Sequence, residues 1–358
     1  MIVVAGEVLV DLVVRADGTV DARLGGGPYN TARTLARLGA PATFFGGLGG
    51  DRFGRLLRDA QLAEGVALGV PGPSAAPTTL ALVDLDEAGV ASYSFYLDGT
   101  AAAEPDYPVI AAGYELAASA SASASASASA SASASAAPAS AGSASDVSDV
   151  SAVSAARGLD AGSGVFAVHV GALGLVMEPI GSATERLLLT DVPPDTLVML
   201  DPNCRPGAIG DRPAYLARIA RVAARADVVK ASVEDVAYLY PGQSPAEAAA
   251  ALLAAGSSLV LVTDGGCPAR AFLPDATLTV DVPAVEVVDT IGAGDAFGGG
   301  FLAWWHANGL SRADLKRPAL VRAAVQAAAA AAAATCARPG ADPPTLADLQ
   351  AAGQWPAV

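Results

Sequence analysis

Residues 288–301 read Val-Asp-Thr-Ile-Gly-Ala-Gly-Asp-Ala-Phe-Gly-Gly-Gly-Phe. The small residues Gly292, Ala293 and Gly294 permit a tight turn into a helix that runs to about His306. The first turn of such a helix leaves several N–H groups unpaired and aimed at one spot. Together with the helix dipole they form an anion site that needs no lysine, and Asp295 sits beside it. The spacing alone fits a plain helix start as well, because an Asp in the first turn is a favourable dipole partner.

Outward from this segment, strand-like and helix-like stretches alternate. Ile2–Val10 reads as a buried strand, Asn30–Leu38 as a short helix, Ala42–Phe45 as a strand, and Asp51–Leu62 as a helix with Asp51 as N-cap. Thr79–Asp84 and Ser92–Leu97 have the alternation of a hairpin joined through Asp86–Gly89. Further strands are expected at Val165–Val170, Leu197–Asp201, Val228–Lys230 and Leu259–Thr263, each followed by a helical pattern. This order predicts one α/β domain over residues 1–358, three layers thick, with a mostly parallel sheet. The stretches 11–23 and 78–100 do not fit it and are read as a small β-sheet lid. Between Ser119 and Ser135 serine and alanine alternate strictly. The biased tract at 117–158 is read as a flexible surface insertion, with partial helix as the weaker option.

Composition removes several function classes. The formal charge of −15 opposes a nucleic-acid-wrapping protein and docking on anionic membrane. Cys204, Cys267 and Cys336 are odd in number and far apart, so neither a zinc site nor a disulfide framework is expected. The start lacks a basic n-region, and the apolar run Ala327–Ala334 is too short to span a bilayer. A cytoplasmic protein is expected. Lysine occurs only at Lys230 and Lys316, neither after a glycine-rich turn, so the P-loop class is excluded. The HRD and DFG signatures of protein kinases are missing as well. An anion hole edged by a carboxylate suits movement of a phosphoryl group onto a hydroxyl. The N–H groups stabilise the transferring charge and the carboxylate takes the proton.

A second glycine cluster, Gly25-Gly26-Gly27-Pro28-Tyr29-Asn30, lets a ligand approach the backbone, and Asn30 offers a donor and an acceptor for hydroxyls. It is not the GxGxxG fingerprint of dinucleotide binding. The stretch Gly25–Leu57 (GGGPYNTARTLARLGAPATFFGGLGGDRFGRLL) resembles the first signature of the ribokinase/PfkB carbohydrate kinase family. Asp289–Phe297 (DTIGAGDAF) closely resembles its second.

The resemblance implies a Rossmann-like, ribokinase-like domain with a lid, and transfer of the ATP γ-phosphoryl group to a sugar hydroxymethyl. By position, Asp295 would be the catalytic base, and Gly292, Ala293 and Gly294 the anion hole. Asp11, Gly26, Gly27 and Asn30 would bind sugar hydroxyls. Asp201-Pro202-Asn203-Cys204-Arg205 is similar to the DxNxR element of the fructokinase-like branch, which turns Asn203 and Arg205 to the acceptor and phosphates. Lys230, Ser232, Thr263 and Gly265 fall on the nucleotide side. Pro268 replaces a glycine there, which implies a reshaped loop.

Glu234 or Asp235 would help place magnesium through water. Asp289 and Ile291 match a monovalent-cation loop, here for potassium, that Thr335–Gly340 closes. His169, His306, Trp304 and Trp305 are read as structural. The expected substrates are ATP and a sugar, best fructose or a related hexose or keto-sugar acid; ribose and nucleosides are the alternatives. A non-catalytic sensor on the same fold is the rival of another class. A homodimer through the lid is the expected assembly.

Overall fold

In the computed structural model, residues 1–15, 17–85, 91–134 and 164–357 are described. In chain order they form β1 (Ile2–Ala5), β2 (Leu9–Val14), β3 (Val20–Gly25), α1 (Gly27–Arg37), β4 (Ala42–Phe45), α2 (Arg52–Ala63), β5 (Ala67–Leu68), β6 (Leu80–Leu85), β7 (Ala91–Tyr96) and α3 (Tyr107–Ala134). There follow β8 (Ala167–Gly171), α4 (Ile180–Thr190), β9 (Leu197–Asp201), α5 (Arg212–Arg225), β10 (Val228–Ser232), α6 (Val233–Leu239), α7 (Pro245–Ala255) and β11 (Leu259–Asp264). The chain ends with β12 (Cys267–Leu273), β13 (Ala276–Val280), α8 (Ala293–Ala307), α9 (Pro318–Cys336) and α10 (Leu346–Ala351).

Nine strands make one sheet in the order β13-β12-β11-β10-β9-β8-β1-β4-β5. It is parallel from β11 to β5, and only β12 and β13 run antiparallel. Its central strands are buried throughout, which is why they read as unbroken Val/Ile/Leu runs. Four more strands form a separate, smaller sheet in the order β3-β2-β6-β7. The expected α/β class with a mostly parallel sheet and a smaller second one is therefore what the chain adopts.

Three expectations change. The run Ile2–Val10 is two strands in two different sheets, because the chain breaks at Gly6. Its φ is +152°, and a Cβ there would lie 2.4 Å from Pro28 Cγ. Apolar periodicity does not register that break, since both halves are buried. In the Ser/Ala tract, α3 extends to Ala134, so residues 117–134 are helical, the weaker of the two options read from sequence. Alanine's helix propensity, uninterrupted by Gly or Pro, accounts for this. The remainder of the expected insertion, from 135 to 158, lies outside the described residues, as does the Asp86–Gly89 turn between β6 and β7. Finally, Ala327–Ala334 belongs to a 19-residue helix, α9, long and apolar enough on composition to cross a bilayer. Of its apolar window 61% is buried inside the protein.

What buries α9 is α8. At Gly300 a Cβ would sit 3.1 Å from Ala328 Cα of α9, and at Gly299 2.7 Å from Thr34 Cβ of α1. The triple glycine after Phe297 thus lets α8 pack closely against helices on two sides. Trp304 and Trp305 are fully buried, their indole N–H groups donating to Pro356 O and Ser311 O. They are core residues, as read from sequence.

Candidate active site

The N-terminus of α8 is set by Gly292, which caps the helix in the left-handed region at φ +78°. A Cβ at that position would lie 2.6 Å from Ala341 Cβ, so glycine is required by conformation and by space. Among the described residues the N–H groups of Gly292, Gly294 and Asp295 have no acceptor. That of Ala293 makes a long turn bond to Thr290 O at 3.3 Å. The expected anion hole at 292–294 therefore has two free donors and one partly engaged, and Asp295 adds its own N–H.

Asp295 lies in the first turn of α8 and is 7% exposed. Its Oδ2 accepts from Asn30 Nδ2 at 2.9 Å, which joins α8 to the start of α1. Burial pushes its carboxyl up to about 6; the Asn30 bond opposes that, Asp201 adds to it, and Lys230 and Arg205 oppose it. The backbone of Gly27 approaches the same point. A Cβ there would be 3.2 Å from Asp295 Oδ1 and 3.1 Å from Asn203 Nδ2. Gly26 is the N-cap of α1 and Gly27 its first residue, and Gly27 N–H donates to Glu7 Oε1 at 3.0 Å.

Beneath the helix start lies a buried ion pair that sequence reasoning did not foresee. Lys230 Nζ, from β10, donates to Asp201 Oδ2, from the end of β9, at 2.8 Å. Both side chains are 4% exposed. Burial alone would pull the Lys230 ammonium down, but Asp201 and, further off, Asp235 and Asp295 hold it above its usual value. A Cβ at Gly294 would be 2.8 Å from Lys230 Nζ. The lysine missing from any glycine-rich turn thus reaches the anion site from a neighbouring strand.

Asn203 follows β9 with φ +40°, a conformation that asparagine tolerates better than most residues. Arg205 donates to the carbonyls of Asn203 and Cys204. Asp11 stands on β2 opposite Arg23 of β3. Burial pushes its carboxyl up to about 6, while Arg205 and Arg23 oppose the shift. Gly27, His169, Asp201, Asn203 and Asp295 line one small cleft. His169, read as structural, is 2% exposed, and neither ring nitrogen has a protein partner. Burial, helped by Lys230, holds its imidazole down at about 3, hence neutral.

Of the two carboxylates left open on sequence, Asp235 is engaged: it accepts from Cys204 N at 2.6 Å and Ser232 N at 2.8 Å. It therefore fastens the turn after β9 to the start of α6, where Ser232 closes a capping box. Glu234 is exposed. No group of three metal-ligating side chains occurs among the described residues. Ser232 and Thr263 are paired at the ends of β10 and β11, with Gly265 in the turn that follows at φ +51°. These three lie along the same sheet edge, apart from the Asp295 cleft. Pro268 coincides with a register shift between β11 and β12, where a missing N–H disturbs the ladder least. Asp289 accepts from Ile291 N at 3.0 Å, Gly340 N at 2.9 Å and Arg23 Nη1 at 2.5 Å.

Free helix-start amides, a fixed ammonium and a buried carboxylate with a raised pKa converge here. The set can hold an anionic group while drawing a proton from a hydroxyl beside it.

Comparison with known proteins agrees with this chemistry. The profile of the pfkB family carbohydrate kinases matches residues 1–156 and 195–348. A fructokinase from Rhizobium leguminosarum bv. trifolii is 33% identical over 308 residues, covering 85% of this chain and 79% of the relative. The structure of a fructokinase with bound ATP from Xylella fastidiosa is 26% identical with a TM-score of 0.77, covering 98% of this chain and 97% of that one. A double-mutant fructokinase from Vibrio cholerae O395, bound to fructose, ADP and potassium ion, is 25% identical with a TM-score of 0.74 and the same coverage.

Proposed function

This chain belongs to the pfkB family of carbohydrate kinases, and from that premise we propose that it uses ATP to phosphorylate fructose on a hydroxymethyl group, with Asp295 as general base. The observation that carries the reading is the Asp295 carboxylate beside free α8 amides and the Lys230 ammonium.

The sugar lies over Gly26 and Gly27, hydrogen-bonded by Asp11, Asn30 and Asn203, with its reacting hydroxyl at Asp295. ATP runs along the ends of β10 and β11 past Ser232, Thr263 and Gly265, its γ-phosphoryl group at the N–H groups of Gly292, Gly294 and Asp295. Lys230 and Arg205 supply positive charge to that group as the bond to the leaving oxygen loosens. Asp295 takes the hydroxyl proton; a carboxyl held near about 6 is a better base than an ordinary one and is still ionised at pH 7. Glu234, exposed at the start of α6, is the carboxylate that would hold a nucleotide-bound magnesium through water, and such an ion would supply neutralisation of the phosphate charge. The small sheet closes over the acceptor and keeps water from the γ-phosphoryl group.

Three free cysteines and a largely buried α9 fit a cytoplasmic enzyme. The outer edge of β7, where Tyr96 is 57% exposed, is the place we assign to a second copy of the chain.

The deciding experiment follows ADP release with fructose, ribose, 2-keto-3-deoxygluconate and adenosine. Fructose is expected to give the highest kcat/KM. A preference for ribose or adenosine would move the acceptor, and no ADP with any of them would favour a sensor.

A further inference from the structure

Glu7, between β1 and β2, is 2% exposed and forms no ion pair among the described residues. Its carboxylate instead takes two backbone N–H groups, one on each oxygen. Gly27 donates to Oε1 at 3.0 Å and Gly174 to Oε2 at 2.8 Å. Gly27 opens α1, and Gly174 lies in the turn that follows β8. The three segments are in close contact: a Cβ at Gly174 would lie 2.4 Å from Gly6 Cα. Ala172, in the same turn, has φ +51°, a left-handed conformation that alanine keeps only where its surroundings fix it.

Gly27, Pro28, Gly171 and Ala172 are walls of the cleft that contains Asp295. Both donors to Glu7 therefore belong to segments that line the cleft, and the carboxylate ties one wall to the other. A buried carboxylate without a cation is costly unless N–H groups take up its charge. Glutamine is no equivalent, because its one oxygen can accept from one N–H while its NH2 group meets the other. We propose that Glu7 is a positioning residue for the acceptor: it staples Gly27 to the turn at 171–175 and so fixes the surface on which the sugar hydroxyl meets Asp295. Glu7 lies behind Gly27 and touches neither substrate. Burial pushes its carboxyl up to about 7; the N–H groups of Glu7 itself, Gly174 and Gly27 oppose that, and Asp295 of α8, the charged group that faces it, adds to it. The ionised form holds both N–H groups most strongly, so the staple is complete at pH 8 and weakens as pH falls through about 7. The inference rests on the kinase reading for its kinetic arm only.

The test compares wild type and Glu7→Gln at pH 8 and pH 6.5. It reads kcat, the KM of fructose and of ATP, and amide hydrogen exchange of the substrate-free proteins, corrected for the intrinsic rate at each pH. At pH 8 the variant should raise the fructose KM about tenfold, the worth of a hydrogen bond to a charged group, with the ATP KM within about twofold and kcat within about threefold. From pH 8 to pH 6.5 the wild-type fructose KM should rise about threefold as Glu7 takes up its proton. That of the variant should rise less than about 1.5-fold, since Asp11, at about 6, is still mostly ionised. The Gly27 and Gly174 amides should exchange about tenfold faster in the variant, with the rest of the chain unchanged. A fructose KM within about twofold of wild type, a parallel rise in the ATP KM, or the same pH step in both proteins would each overturn the proposal. If Glu7→Gln did not fold, wild type alone would decide: a Gly27 amide and a fructose KM that stay the same at pH 6.5 would overturn it. If wild type phosphorylated no sugar, the kinase reading would fail on its own. The exchange data would still decide whether Glu7 holds the two segments.

Discussion

Asn30 and Asp295 are 265 residues apart in sequence, yet Asn30 Nδ2 donates to Asp295 Oδ2 at 2.9 Å. The bond joins the first turns of α1 and α8, two helices that start at glycines. It also sets the charge of the proposed base, because it opposes the upward push of burial on the Asp295 carboxyl.

Removing that donor should therefore be visible in the pH profile. In Asn30→Ala the Asp295 carboxyl rises above its present value of about 6. The acid limb of kcat/KM should move upward by roughly half a unit to one unit, since the base works only when ionised. A profile unchanged on the acid side would separate the limb from Asp295.

Asp295 should also cost stability at neutral pH. Its folded pKa of about 6 exceeds the ordinary 3.8, so its protonated form favours the folded state. That contribution is full below about 3.8 and is lost as pH rises through about 6. Asp295→Asn, uncharged at every pH, should thus be more stable than wild type at pH 8, by up to about 3 kcal/mol, with the gap closing toward pH 4. Chemical denaturation at the two pH values reads this directly.

The Lys230–Asp201 pair separates structure from chemistry. Lys230→Met leaves Asp201 buried without its cation and should destabilise the fold by about 3–5 kcal/mol. Adding Asp201→Asn should recover much of that stability. Turnover should stay low in the double variant, because no ammonium reaches the anion site. Recovery of turnover along with Tm would assign the pair a structural role only.

Gly292→Ala forces a side chain into φ +78° and against Ala341. The expected cost is about 1–3 kcal/mol of stability, with a fall in kcat beyond what the unfolded fraction explains. Differential scanning calorimetry paired with active-site rates distinguishes the two.

The sequence was most legible where function and local geometry coincide. Asp51 caps α2 through Gly54 N, and Leu197–Asp201 and Ala42–Phe45 are strands with the expected limits. The turn, the helix and the carboxylate at 292–295 lie in one short segment, so motif spacing could find them. Gly6 was hidden in an apolar run because hydrophobicity does not report a change of sheet. The Asp201–Lys230 contact, the Arg23–Asp289 contact and the Glu7 bonds to Gly27 and Gly174 depend on strands that pair only after folding. Within β8, His169 reads like any core residue, and its place beside the cleft follows only from the fold.

The central claim is that Asp295 removes the acceptor proton. The most direct measurement is fructose-dependent ADP formation by Asp295→Asn, with fructose binding and Tm recorded on the same protein. The account predicts that turnover falls by about a thousandfold or more while fructose still binds and the fold persists. Turnover at about a tenth of wild type or above, with fructose bound, would contradict it.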